Sequence, residues 1–421
     1  MELSLVKFLL WTSLLFIQIH EYRGCVEEER VGLLELKVLL TSHINNADYI
    51  LSSWVNETRS ECCGWERVTC DDATGHVIKL SLYDLNQKEN IFMPDETWLL
   101  NVSLLLPFKE LRSLDLSQNQ IGSLGNQESN CLSKLGKLTH LNLGSNSFDK
   151  EILRFLSALP ALKSLDLSSN INMEGPLSSN ELVNLSNLEV LSLRGNHLDG
   201  SLPFKDMANF SSLEILDLSG NVFTGSIPPY IGALSSLKAI SLSDIELNGT
   251  LPVQGPIPKT FSNLTQLESL DLSYNNLSGE IPSTLIALNF LEVFNVTHNN
   301  LSGKVPDFKA QFGTFDKNCY EGNPFLCGPP LETHCIMLDE SPSSPIQYSN
   351  ASNGKWYEVD PIVFYTSLSV SYIIFFLGVV SVLYINPHWQ QQGFNLVKDC
   401  MYWCYFFAVN TLKGLSSCMC H

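Results

Sequence analysis

Residues 111–121 read LRSLDLSQNQI, and this frame of leucines closed by an asparagine returns along the chain. It recurs as LTHLNLGSNSF from Leu138, LKSLDLSSNIN from Leu162, LEVLSLRGNHL from Leu188 and LEILDLSGNVF from Leu213. LKAISLSDIEL from Leu237, LESLDLSYNNL from Leu267 and LEVFNVTHNNL from Leu291 complete the set. The central anchors Leu114, Leu141, Leu165, Leu191, Leu216, Ile240, Leu270 and Phe294 lie 27, 24, 26, 25, 24, 30 and 24 residues apart. In each copy the L-x-L core reads as a short strand whose alternate side chains point inward. One such unit cannot bury its own apolar face, so neighbours must stack and both ends need caps. The asparagine that follows (Asn119, Asn146, Asn170, Asn196, Asn221, Asn275, Asn299) can bond unpaired backbone groups of adjacent turns as a ladder. HVIKLSL at 76–82 reads as an irregular first strand, giving about nine turns.

A period of 20–29 residues with this frame is the leucine-rich-repeat signature. The expected fold is an α/β leucine-rich-repeat right-handed solenoid, a horseshoe with an inner parallel β-sheet and cysteine caps. The phrases DGSLP, TGSIP, SGEIP and SGKVP that follow the asparagines resemble the plant-specific class of these repeats. Residues 25–80, with CVEEERVGLLELK, LSSW, CCGWERVTC and GHVIKLSL, are similar to the N-terminal cap of plant leucine-rich-repeat receptor-like proteins. FDKNCYEGNPFLCGPPLETHC at 315–335 resembles their C-terminal cap. YEVDPIVFYTS, GVVSVLYINPHW and CMYWCYFF resemble their membrane span and tail. The resemblance implies disulfides Cys25–Cys62, Cys63–Cys70 and Cys327–Cys335. Cys319 stands where the family usually has another residue, so it is expected to be unpaired.

One stretch breaks the period. In GTLPVQGPIP, residues 249–258, the phrase Gly-x-Leu/Ile-Pro occurs twice in ten residues. Its starts at Gly200, Gly225, Gly249, Gly255, Gly279 and Gly303 are spaced 25, 24, 6, 24 and 24. The 30-residue strand gap is therefore one ordinary repeat plus six residues. We read this as an internal deletion joined near 253–254, against the plainer reading of a six-residue loop insertion. Relatives are typically longer, and many carry a non-repeat island before their final repeats. The expectation is a continuous stack, with the strands carrying Leu242 and Leu272 paired directly and the surplus bulging outside the inner face. Ile245 replaces the ladder asparagine just before this point.

The ends set the topology. Residues 1–24 have few charges, an apolar run from Phe8 to Ile19 and a polar exit, the layout of a secretory signal peptide. An uncleaved signal anchor is the alternative, and either form enters the secretory pathway. Residues 362–385 are 24 uncharged positions, which as a helix reach about 36 Å, enough for a bilayer core. Sequons at Asn56, Asn101, Asn184, Asn209, Asn248, Asn263, Asn276, Asn295, Asn300 and Asn350 all precede that span. The protein is thus expected to be a single-pass type I plasma-membrane glycoprotein with its N-terminus outside. The expected organisation is a signal peptide at 1–24, N-terminal cap at 25–75, solenoid at 76–306 and C-terminal cap at 307–340. An acidic juxtamembrane segment at 341–361, one transmembrane helix at 362–385 and a short cytoplasmic tail at 386–421 follow.

The chain has a formal charge of −19, and 25–361 alone carry 21 basic against 41 acidic residues. That balance argues against nucleic acid as a partner. Cys131, alone among the repeats, reads as a buried thiol, and Cys400 and Cys404 as candidate palmitoylation sites. No nucleotide loop or kinase motif occurs, and the 36 residues after Ile385 cannot hold a kinase domain. Asp115, Asp166, Asp217 and Asp271 recur at one strand position and resemble paired carboxylates, but read as repeat consensus. No enzyme, cofactor or metal site is expected.

A binding surface is the natural alternative, because solenoids use their concave strand face. The candidate ligand face comprises Tyr83, His140, Arg194, Asp244, Tyr274 and His298, which depart from otherwise small residues. Ser367, Ser371, Gly378 and Ser381 share one face of the expected span and suit close contact with a partner helix. The resemblance implies a receptor that takes an extracellular peptide, carbohydrate or protein ligand and signals in defence or development. It also implies a partner leucine-rich-repeat receptor-like kinase in the membrane. The other reading is a shortened structural or decoy fragment that binds no ligand.

Overall fold

The computed structural model describes residues 25–57, 61–85, 97–125, 131–178, 181, 185–245, 255–307 and 309–335. The expected signal peptide, the expected span with its contact residues and the tail cysteines lie outside these residues, as do the expected junction at 253–254, Asn184, Asn248 and Asn350. Among the described residues no helix is long and apolar enough to cross a membrane.

Nine parallel strands form the inner sheet in chain order, from Val77–Ser81 to Val293–Asn295, with the antiparallel strand Val68–Cys70 at its leading edge. Register follows the repeat: Leu114 pairs with Leu141, Leu141 with Leu165, Leu216 with Ile240, and Leu270 with Phe294. These anchors are 0–5 % exposed, so one continuous core runs under the sheet. Across the 30-residue gap, Ile240 pairs directly with Leu270, so the inner face keeps one strand per turn.

The ladder forms at every asparagine the repeat frame supplies. Asn170 Nδ2 donates to the Leu143, Leu167 and Ser168 carbonyls at 3.2, 3.0 and 3.3 Å, while its Oδ1 accepts from Phe148 N at 3.0 Å. The other ladder asparagines repeat this pattern on the turns beside them. Asn323 extends it into the C-terminal cap, donating to the Val296 and Tyr320 carbonyls and accepting from Leu301 N. Its place, 24 residues after Asn299, is the signal by which it was findable. At Ile245, fully buried, the amide is missing. The stack survives because Leu218 O and Leu242 O still accept from Asn221 and Asn275, at 2.9 and 2.7 Å.

Two features differ from a simple α/β horseshoe. Among the described residues the side opposite the inner sheet is mostly short 3-10 turns such as Pro229–Ala233, Lys259–Asn263 and Ser283–Ala287, with a five-residue α-helix at Ile152–Leu156. Repeats of 24–25 residues leave too few for a full helix, and proline at or just before the first position starts the tight turn. Short segments after the ladder positions, several of them leading into a Gly-x-Ile/Leu-Pro phrase, also build a second set of parallel pairings. Glu174–Pro176 pairs with His197–Asp199, and Ser278–Gly279 with Asn300–Lys304, which continues to Phe325–Cys327. These separate short sheets were not expected from the repeat frame.

Both ends of the core are closed. The N-terminal helix Glu27–His43 carries three glutamates in its first turn, favourable to its dipole, and buries Leu33, Leu36 and Leu40. The buried Glu29 carboxylate accepts from Val77 N at 2.8 Å and meets His76 at 3.1 Å, tying the helix to the first repeat strand. Trp54 and Trp65 stack beside it, 5.9 Å apart. At the other end Phe294, Phe312, Phe315 and Tyr320 cover the last turn. Cys319 and Glu321 carbonyls accept from Val296 N and His298 N, so the final strand edge is paired. Disulfides join Cys25 to Cys62, Cys63 to Cys70 and Cys327 to Cys335, while among the described residues Cys131 is buried and free and Cys319 half-buried and free.

Candidate functional site

The inner sheet presents its outward side chains in rows, because each strand repeats the same register. One row runs Ser81, Asp115, Asn142, Asp166, Ser192, Asp217, Ser241, Asp271, Asn295. Every carboxylate in it has neutral neighbours. Alternate strands put successive aspartates about 10 Å apart, so like charges never face each other directly. Each aspartate is also committed locally: Asp115 Oδ1 accepts from Ser117 N and Oγ at 3.0 and 2.7 Å, and Asp217 and Asp271 do the same with Ser219 and Ser273. They lock the turn after the strand rather than form an acid/base pair. Among the described residues no group of three His, Cys, Asp or Glu side chains is placed to hold a metal.

A second row sits one position before the ladder. Its members Asp84, Gln118, Ser145, Ser169, Gly195, Gly220, Asp244, Tyr274, His298 and Gly322 all have positive φ, between 47° and 76°. The left-handed turn there lets the chain leave the strand and drop the ladder amide inward. Glycine and small polar residues suit it, and bulky ones do not.

The six candidate ligand residues do not form one cluster. Tyr83 lies at the N-terminal end under Arg67, whose guanidinium is 4.6 Å above its ring and donates to the Ser81 and Tyr83 carbonyls at 3.1 and 2.6 Å. That makes Tyr83 largely a cap contact. His140 is exposed in the row of Ser113 and Ser164, with Nδ1 2.8 Å from Thr139 Oγ1. Arg194 is exposed near the centre of the sheet. Asp244, Tyr274 and His298 occupy consecutive turns of the left-handed row, and the structure brings Tyr274 and His298 together as stacked rings with centroids 4.5 Å apart and planes 20° apart. Sequence reasoning overlooked Ile215 and Val293, apolar yet 43 % and 53 % exposed on the inner face; their place just before the strand anchor was the available signal.

The sequons spread over different faces. Asn209 and Asn263 are exposed at the ends of 3-10 turns opposite the sheet, and Asn56 and Asn101 are exposed near the N-terminal cap. Asn276 and Asn300 are half-buried beside the short outer pairings. Asn295 lies on the inner floor itself, its Oδ1 accepting from Thr297 N at 3.1 Å.

Comparison with known proteins is consistent with this architecture. A leucine rich repeat N-terminal domain matches residues 26–71, and leucine rich repeat models match 110–125, 187–205, 212–234 and 266–288. The chain is 38 % identical over 205 residues to receptor like protein 21 of Arabidopsis thaliana, covering 47 % of this chain and 20 % of that one. It is 39 % identical over 181 residues to receptor-like protein 15 of the same plant, covering 42 % of this chain and 18 % of the relative. The matches thus span about a fifth of the length of these relatives. Among solved structures, a plant ice-binding protein superimposes with a TM-score of 0.54 at 29 % identity, covering 75 % of this chain and 100 % of that one.

Proposed function

We propose that this chain, a plant leucine-rich-repeat receptor-like protein, captures an extracellular ligand on its inner sheet and signals through a partner receptor-like kinase. The observation that carries the reading is the uninterrupted nine-strand face, closed at both ends by disulfide-bonded caps. Such a face is a rigid surface whose outward residues vary while the scaffold beneath repeats. Its carboxylates are spent on turns, which favours recognition over catalysis. We place the solenoid outside the plasma membrane, glycosylated, and anchored by the apolar segment 362–385. Ser367, Ser371, Gly378 and Ser381 are the proposed contact with the kinase span.

Expression of the tagged full chain in plant leaf cells tests this. The reading expects surface biotinylation, a glycosidase-sensitive mass shift, and co-purification of a receptor-like kinase that weakens when Ser371 and Gly378 become Leu. An intracellular, unshifted chain with no kinase partner would refute it. One observation favours a second reading, a shortened form without ligand binding: the duplicated phrase stands directly after the ladder substitution at Ile245. A longer dominant transcript across codons 245–262 would establish that alternative.

A further inference from the structure

In the left-handed row, ring side chains occur at two of the ten positions, and those two are adjacent. Tyr274 and His298 hold φ of 54° and 53°, where a bulky residue strains the backbone and the neighbouring turns use Ser, Gly or Asp. The strain is not repaid by burial, because Tyr274 is 59 % exposed and His298 is exposed. In the turn beyond, a Cβ on Gly322 would lie 2.6 Å from His298 Nδ1 and 2.9 Å from the His298 backbone, so glycine there leaves room for both. On the opposite side of the stack the next residue in the row is Asp244, exposed. Asp271 and Glu321 flank the same strand ends. No lysine or arginine occurs in this row, or in the row just before it, from Ser219 to Gly322 among the described residues.

We infer that the Tyr274–His298 stack and Asp244 form a subsite for an arginine side chain of a peptide ligand. A guanidinium is flat enough to lie on the open face of the Tyr274 ring. It is attracted by the negative π-face, and its edge donors fit a carboxylate. His298 supports the tyrosine ring from behind, and the carboxylates of this end of the sheet favour a cation. A lysine ammonium has no plane to stack, so arginine is the preferred occupant. This subsite rests on the receptor reading above and adds the chemical class of ligand and where it docks.

The test uses the full chain in detergent with two fluorescein-labelled peptides, Gly-Arg-Gly-Arg-Gly and its lysine counterpart, followed by anisotropy. Tyr274→Gly removes the ring and relieves the strained φ, so it should raise the thermal midpoint while weakening the arginine peptide about 2- to 30-fold. Asp244→Asn, which keeps the turn chemistry, should also weaken it. The lysine peptide should bind less tightly than the arginine peptide. Unchanged affinity in Tyr274→Gly, a lowered midpoint in that variant, or equal binding of the two peptides would overturn the subsite. Competition by a cello-oligosaccharide in place of the peptide would overturn it too, assigning the rings to a glycan. If the arginine peptide fails to bind while the chain still recruits a kinase at the cell surface, the subsite is wrong and the receptor reading stands.

Discussion

Replacing Asn170 with alanine tests how the ladder stabilises the stack. The side chain is fully buried and serves two kinds of group. The carbonyls are shared: Leu143 O also accepts from Asn146 at 3.0 Å and Leu167 O from Asn196 at 3.1 Å, so each keeps a donor after the change. The Phe148 N–H is different, because it donates to Asn170 Oδ1. Stranding a buried donor costs about 1–3 kcal/mol, and each lost shared bond adds about 0.5–1 kcal/mol. With three shared bonds lost, the expected total is about 2.5–6 kcal/mol, concentrated in the turn that contains Phe148. Because repeats contact only their neighbours, a single global unfolding midpoint would blur this effect. Amide hydrogen exchange resolves it: peptides covering 138–170 should lose protection by about 30-fold or more, at roughly 1.4 kcal/mol per tenfold. Peptides covering 267–299 should change far less. A loss below about threefold at Phe148, or an equal loss in both regions, would show that the ladder is not the local lock inferred here.

Four further outcomes follow from the C-terminal cap. Among the described residues none bonds the buried Tyr320 hydroxyl, and burial raises its pKa, so Tyr320→Phe should stabilise the protein by about 1 kcal/mol. The raised pKa makes that tyrosine's stability contribution complete below pH 10 and lost as pH climbs above it, so alkaline unfolding curves should flatten in the variant. Gly322→Ala combines a φ of 76° with a Cβ 2.9 Å from the His298 backbone, and should cost about 1–2 kcal/mol in thermal unfolding. Burial, followed by the nearby Asp316 carboxylate, pushes the Cys319 thiol up, so mass spectrometry after iodoacetamide at pH 8 should find it alkylated more slowly than a free model thiol; rapid labelling would contradict the placement.

The repeat frame by itself determined the scaffold of this protein. Leucines at fixed spacing specify which side chains are buried, and the asparagine after each strand specifies where the backbone bonds go, so strand number, order and register were all legible. Those are local rules applied many times, and repetition removes the usual ambiguity about what pairs with what. The caps were legible through family resemblance, down to three disulfides. Other features required the tertiary structure, because they depend on relations between turns rather than within one. The short outer pairings arise where the segments following the ladder positions of consecutive turns come side by side, as at 174–176 and 197–199. The alternation of charged and neutral residues, from Asp115 to Asn295, becomes visible only in the paired register. The stacking of Tyr274 on His298 needed two rings 24 residues apart to share a left-handed row. The linear motif marks each as a variable position, but stacking brings them within one ring's thickness of contact, and that proximity turns two ordinary surface residues into a candidate site.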